Sequence, residues 1–257
     1  MLEIKNVYKT FNPGTVNEKV ALNGLNLTLN DGDFVTVIGG NGAGKSTMLN
    51  AVAGVWPVDM GKILIDGQDI TRLPEHKRAP YIGRVFQDPM MGTAATMGID
   101  ENLALAARRG ASRTLRSGIT RKEREEYHEL LKSLGLGLED RMTSKVGLLS
   151  GGQRQAVTLL MATLKKPKLL LLDEHTAALD PKTAEIVMEL TARVVREKHL
   201  TTLMVTHNLR HAVEFGDRMI MMHQGHIVLD RNGAEKAATR VEDVLELFNE
   251  ISVECGN

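Results

Sequence analysis

The sequence predicts an α/β fold with a mainly parallel sheet and an antiparallel β layer beside it. Beyond Leu136, apolar strand-like runs alternate with helix-like runs, the pattern of βα units that a parallel sheet requires. Nearer the N-terminus, alternating apolar positions are closed by Asp-Gly turns, as in antiparallel strands. Between these, a glycine-rich segment follows an apolar strand and opens a helix.

Taken in order, Leu25, Leu27 and Leu29 alternate with polar residues, as in a strand buried on one face. Asp31-Gly32 turns the chain into a strand over Phe34 to Ile38, which feeds Gly39 to Gly44, and Ser46 to Val52 begins a helix. Ile63 to Ile65, followed by Asp66-Gly67, reads as another strand and turn; these early strands are expected to be short. Glu101 to Leu136 is helical in character, interrupted near Gly110 and Gly118. Gln153 to Leu164 has a helical apolar pattern, and Leu169 to Leu172 is a buried strand. Asp180 is placed to cap a helix with Pro181 at its first position and Ile186, Leu190 and Val194 on one face. Thr202 to Thr206 is the next strand, and Met219–Met222 with Ile227–Leu229 form a hairpin through Gln224-Gly225. Val241, Val244, Leu245, Phe248 and Ile251 mark one face of a closing helix. With no repeat, low-complexity tract or linker, residues 1–257 read as a single domain.

Lys plus Arg equals Asp plus Glu at 32 each, so no overall field favours nucleic acid and no such partner is expected. The one cysteine, Cys255, cannot form an internal disulfide; a reduced cytosolic setting fits, with Cys255 a bystander. Met1 to Phe11 lacks the basic and apolar regions of a signal peptide. Leu169 to Leu172 is far too short to span a membrane, so any membrane part must come from another chain.

Gly39-Gly40-Asn41-Gly42-Ala43-Gly44-Lys45-Ser46-Thr47 satisfies G-x-x-x-x-G-K-[ST] in a strand-loop-helix setting. The glycines let successive N–H groups face a polyphosphate, and the helix that follows adds the positive end of its dipole. Lys45 reaches β- and γ-phosphates, and the Ser46 hydroxyl binds Mg²⁺. A run of leucines then delivers Asp173, at a strand end, to hold Mg²⁺, and Glu174 to orient or deprotonate the attacking water. The competing reading is that one of these acids merely caps the next helix.

Leu149-Ser150-Gly151-Gly152-Gln153 has no role in that cradle, and here the chain resembles a known family: it matches the signature motif of ATP-binding-cassette (ABC) ATPases. The family's other motifs stand in the expected order: the P-loop at Gly39 to Thr47, a Q-loop at Gln87, the signature, Walker B at Leu169 to Glu174, a D-loop at Ala178-Leu179-Asp180 and a switch histidine at His207. The resemblance implies a P-loop NTPase core with an antiparallel β subdomain over 1–88 and 159–257, and an inserted helical subdomain over 89–158. It implies ATP and Mg²⁺ as ligands. It also implies a head-to-tail dimer in which Ser150 to Gln153 and Asp180 of a second copy complete the site. Gln87 then senses Mg²⁺ and the water, and His207 the γ-phosphate. Phe11 stands where the family places an aromatic on adenine; Tyr8 is the alternative, and a core role for Phe11 competes. Two departures are visible: His175 where the family usually has Pro, and Asn208 where Asp often stands.

The single P-loop, and room from Gln87 to Ser150 for a helical lobe and no more, resemble a stand-alone transporter subunit. That resemblance implies a peripheral location on the cytoplasmic face of the membrane, through a separate permease. Docking would use Asp88 to Glu101, with Pro89, Met90, Met91, Met97 and Ile99 as an adaptable apolar surface. The basic run Arg108, Arg109, Arg113, Arg116, Arg121, Lys122 and Arg124 reads as a solvated face, or one turned to lipid or permease. Phe86 to Thr93 and Asp173 to Thr176 are similar to importer subunits paired with a lipoprotein receptor, some assigned to aromatic amino acids. A soluble regulatory ATPase acting without a permease is the alternative.

Overall fold

Alternation of buried and open positions puts the first strands in an antiparallel sheet, whereas unbroken apolar runs put the later ones in a covered parallel sheet. The computed structural model describes residues 1–111 and 118–254, of 251–254 the backbone alone. In chain order its elements are β1 (Leu2–Phe11), β2 (Lys19–Leu29), β3 (Phe34–Ile38), α1 (Lys45–Ala53), β4 (Met60–Ile65), β5 (Gln68–Asp69) and α2 (Glu75–Arg78). Next come β6 (Ile82–Val85), α3 (Ile99–Ala107), α4 (Arg121–Lys132), α5 (Gly151–Thr163), β7 (Leu169–Asp173) and α6 (Pro181–Lys198). The run closes with β8 (Thr202–Val205), α7 (Leu209–Glu214), β9 (Arg218–His223), β10 (His226–Asn232), α8 (Gly233–Ala238) and α9 (Val241–Glu254). The chain divides into one unit of residues 1–78 and 200–257 and another of 79–199.

In the first unit, β2-β1-β4-β5 form an antiparallel sheet, with Leu2 opposite Leu29 and Ile4 opposite Leu27. Leu2, Ile4, Leu25, Leu27, Leu29, Ile63 and Ile65 share its buried face. The expectation of short strands holds for β3 and β4, at 5 and 6 residues, but fails for β2, which has 11; β1, with 10, was not expected. Register shifts along β1 hide the strict alternation that would have revealed it. A second sheet in this unit orders β10-β9-β3-β8, with β3 parallel to both β8 and β9 and β10 antiparallel to β9. All of β3 and β8 is buried, so they read as apolar runs without alternation. Ile38, Ala212, Met219, Met221 and Val244 cluster beneath α7 and α9. Arg78 is buried because its guanidinium donates to the carbonyls of Ala51, Val52, Thr71 and Leu73, closing the C-terminus of α1. Burial still holds it below its usual pKa.

In the second unit, β6 and β7 pair in parallel, Val85 beside Leu172. α5 crosses β6 so closely that a Cβ on Gly83 would meet Ala162 O at 2.5 Å. The face expected for α6 is corrected: Ala184, Val187, Met188, Thr191 and Val195 are buried with Leu190, while Ile186 is exposed and Val194 only half-buried. The buried Thr191 escapes an apolar count, which shifted the expected stripe. On α9, Leu245 is exposed and Leu247 takes its place against the core; the Ile251 side chain lies outside the described residues.

Candidate functional site

The expected site residues divide between the units: Phe11, Gly39 to Thr47 and His207 in the first, Gln87, Ser150 to Gln153, Asp173, Glu174 and Asp180 in the second. In the first, β3 ends at Ile38 and the chain curls back before α1. A Cβ on Gly39 would lie 2.3 Å from Met222 O, and one on Gly44 would lie 2.5 Å from Ala21 O, with φ of +150° and +102°. Both positions therefore exclude any side chain. Gly44 gives α1 no side-chain cap, and the first turn of α1 holds no acid, so its N–H groups and dipole remain for an anion. Lys45 is 5% exposed, and its ammonium donates to Gly39 O at 2.7 Å and Gly40 O at 3.1 Å. A buried cation that donates to loop carbonyls can exchange them for phosphate oxygens. Ser46 is exposed at the start of the helix.

His207 is brought beside this loop by β-sheet register. Thr206 N donates to Val37 O at 3.1 Å, so the ends of β8 and β3 run side by side, and His207 emerges exposed. The departure at Asn208 is structurally silent in one respect: its Oδ1 accepts from His211 N and caps α7 as an aspartate would. Phe11, at the end of β1, is half-buried and meets Trp56 edge to face at 5.0 Å, with the Lys9 ammonium 5.5 Å from its ring centre. Trp56 was missed by sequence reasoning; its one signal was a lone tryptophan just past the P-loop helix. Tyr8 instead lies against Gly24 of β2, where an added Cβ would approach its hydroxyl at 3.0 Å.

In the second unit, register again does the positioning. Val85 pairs with Leu172, so Gln87 and Glu174 both emerge two residues past that pair. Gln87 is exposed; Asp173 and Glu174 are half-buried. Glu174 has φ +46°, the left-handed region, a conformation that neighbouring structure must hold against the chain's preference. The next residue, His175, is 2% exposed and its Nε2 lies 3.1 Å from Thr191 Oγ1 of α6. Arg84 reaches Asp173 Oδ2 at 3.5 Å.

Ser150 caps α5 in a reciprocal box: Gln153 N donates to Ser150 Oγ and Ser150 N to Gln153 Oε1, each at 3.3 Å. The first turn of α5 carries no acid. Gly152 is required by packing, since its Cβ would stand 2.2 Å from Thr183 Cγ2 of α6. Asp180 caps α6 through Thr183 N at 3.1 Å. Hydrogen bonds from the Thr183 hydroxyl and backbone hold the Asp180 carboxyl below its usual pKa.

The expected docking surface narrows. Pro89 and Ile99 are buried, Met97 is half-buried, and Met90 and Met91 alone of the five are exposed, with the Arg154 guanidinium on Met90 Sδ. Ile99 opens α3 and faces its own lobe. Much of the basic run is engaged internally: Arg108 pairs with Glu123, Arg121 with Glu125, Lys122 with Glu126 and Arg124 with Asp100. Arg109 donates to Ala162 O, and burial pulls its pKa down. Arg113, Arg116 and Cys255 lie outside the described residues.

Among the described residues no group of three His, Cys, Asp or Glu is placed to hold a metal. The Ser46 hydroxyl and the Asp173 carboxylate are oxygen donors of the kind Mg²⁺ takes, one or two from protein with the rest of its shell from phosphate and water. None of the described helices is long and apolar enough to cross a membrane.

A family model described as ABC transporter matches residues 22–177. The chain is 48% identical over 253 residues to a tyrosine transport ATP-binding protein of Clostridioides difficile, covering 96% of this chain and 98% of that one. It is 33% identical over 237 residues to a spermidine/putrescine import ATP-binding protein of Haemophilus influenzae; that match covers 91% of this chain but 59% of the relative. Among solved structures, a dimeric ATP-binding cassette in a post-hydrolysis state, bound to ADP and Pi, superposes with a TM-score of 0.76 at 33% identity, covering 90% of this chain and 98% of that one.

Proposed function

The chain belongs to the ABC transporter ATP-binding family, and on that premise we propose that it is the ATP-hydrolysing subunit of an importer for aromatic amino acids. It is an ABC-type ATPase whose hydrolysis drives import through a separate permease. The observation that carries the cargo is 48% identity along nearly the whole of a tyrosine transport subunit. Polyamine import, named for the relative at 33%, is the weaker match.

The residues divide the work as follows. Backbone N–H groups of Gly39 to Ser46 and the start of α1 cradle the triphosphate, and the Lys45 ammonium leaves the Gly39 and Gly40 carbonyls for its oxygens. Ser46 and Asp173 would hold Mg²⁺, with Gln87 as its sensor; when bound, the ion neutralises charge on the phosphates. Glu174 orients the attacking water and accepts its proton, while His207 faces the γ-phosphate. Phe11 stacks on adenine, with Trp56 behind it. Ser150 to Gln153 and Asp180 of a second copy close the site, the first-turn N–H groups of α5 that the Ser150–Gln153 box does not take up meeting the γ-phosphate. Residues 89–158 form the helical subdomain. Met90 and Met91 carry motion to the permease, which holds the chain at the cytoplasmic face and works with an extracytoplasmic binding protein.

Glu174→Gln tests the shared site. It should cut hydrolysis by about 10²- to 10⁴-fold and trap an ATP-bound dimer on size exclusion. A variant that stays monomeric under ATP, with Mg²⁺ omitted and then restored, would remove the two-copy mechanism. Ser150→Arg should suppress hydrolysis and leave ATP binding to the monomer intact. For cargo, the reconstituted complex should hydrolyse ATP faster with tyrosine or tryptophan than with spermidine or methionine; the reverse order would move the assignment.

A further inference from the structure

Arg84 is a cation set directly against the acid assigned to the metal. It stands on β6 beside Leu171 of β7, and Asp173 lies two residues further along the same face. Phe86, two residues past Arg84, follows directly on the end of β6. The side chain runs towards the strand ends, where Arg84 Nη2 is 3.5 Å from Asp173 Oδ2 and its guanidinium carbon is 4.5 Å from the Phe86 ring centre. Both ionic side chains are largely covered, at 13% and 16% exposure.

The platform is rigid and the ion pair is loose. Gln155 of α5, fully buried, donates to Phe86 O at 3.0 Å, and Gly92 leaves its α-carbon face against the ring, where a Cβ would sit 3.3 Å from Phe86 Cδ2. A tight guanidinium–carboxylate contact would close to about 2.7–2.9 Å, usually with two parallel bonds. Here the Nη2–Oδ2 contact is long, at 3.5 Å, and the guanidinium also lies over the aromatic face. It therefore has somewhere to stay when its carboxylate is taken.

We propose that Arg84 is a positioning residue that competes with Mg²⁺ for Asp173 and sets how readily the metal leaves with product. A guanidinium at this range occupies lone pairs that the ion needs and repels its double charge. When metal binds, Arg84 withdraws over Phe86; when metal leaves, it returns and keeps the carboxylate neutralised. The inference rests on Asp173 being the metal acid, so the experiment separates the two.

The purified subunit, loaded with ADP, is titrated with Mn²⁺ and free ion is read by electron paramagnetic resonance. Arg84→Met keeps an apolar stem on Phe86 and removes the charge; Mn²⁺ should bind about threefold to tenfold tighter. Arg84→Lys should stay near the parent value. Unchanged or weaker binding in Arg84→Met overturns the competition. If neither Arg84→Met nor the second variant Arg84→Gln folds, Arg84 belongs to the fold and the proposal fails. Asp173→Asn decides the underlying assignment: loss of Mn²⁺ binding in both the parent and the Arg84→Met background upholds Asp173 as the ligand. Retained binding would remove that assignment, and the inference with it.

Discussion

His175 Nε2 lies 3.1 Å from Thr191 Oγ1, and the same hydroxyl donates to Val187 O at 2.7 Å. A threonine hydroxyl has one proton, and the Val187 carbonyl takes it, so the hydroxyl oxygen accepts from His175 and Nε2 carries the hydrogen. The bond joins the residue after Glu174 to the middle of α6, and all three groups are buried. It thus restrains the segment in which Glu174 adopts φ +46°. Where the family has a proline to stiffen this position, the chain has a histidine tied by a hydrogen bond.

Thr191→Val removes that acceptor at nearly constant shape. The buried imidazole N–H is then orphaned, at a cost of about 1–3 kcal/mol. The expected outcome is a lower urea midpoint together with a fall in kcat for ATP larger than any rise in KM. The double variant His175→Phe/Thr191→Val leaves neither polar group orphaned and should regain most of the stability, but not the rate. Additive losses in the double-mutant cycle would show that the two side chains do not act as a unit.

Phe11 and Trp56 make a second measurable pair. The chain has one tryptophan, so its emission reports this corner alone. Stacking of adenine on Phe11, which touches Trp56 at 5.0 Å, should change that emission on ATP addition. Phe11→Ala should abolish the change and weaken ATP by about 5- to 100-fold, using roughly 1–3 kcal/mol per stacked base. An intact signal with unchanged affinity would return Phe11 to the core and reopen the place of Tyr8.

Most of the strands and the phosphate loop were legible because each obeys a local rule: full apolar runs for β3, β7 and β8, alternation in β2, and glycines where Gly39 and Gly44 admit no Cβ. What escaped depends on partners far along the chain. Register shifts in β1 mask its alternation, and the buried Thr191 is invisible to the apolar stripe of α6. The Arg84–Asp173 contact spans 89 positions and is set by β6–β7 register, which no single-sequence pattern specifies. The apolar surface expected over Asp88 to Glu101 shrank for the same reason: whether Ile99 faces solvent is decided by its lobe.

Gly152 separates packing from ligand binding. Gly152→Ala drives a methyl to 2.2 Å from Thr183 Cγ2, an overpacking that should cost about 1–3 kcal/mol. Thr183→Ser deletes that methyl while keeping the backbone N–H that Asp180 caps, so Gly152→Ala/Thr183→Ser should melt close to the parent. If the α5 terminus also meets the partner's phosphate, ATPase activity stays low in the rescued protein. Recovery of both properties together would assign Gly152 to packing alone.

Acid should loosen the helices through their caps. Asp180 at α6, Glu123 at α4 and Asp243 at α9 all have pKa values lowered in the folded chain, by Thr183 hydrogen bonds at the first, Thr120 at the second and the Arg240 backbone at the third. A carboxyl with a depressed folded pKa binds fewer protons folded than unfolded, so its contribution is complete above the ordinary carboxylate range and disappears as pH falls through it. Stability from urea melts should therefore be flat near neutrality and decline below about pH 4–4.5. Asparagine caps a helix as well as aspartate does but does not titrate there. Asp180→Asn combined with Glu123→Gln should accordingly melt near the parent at pH 7 and lose less stability on acidification. The same slope in parent and variant would place the acid sensitivity in other carboxylates, such as Asp59 and Asp69, whose folded pKa values are also lowered.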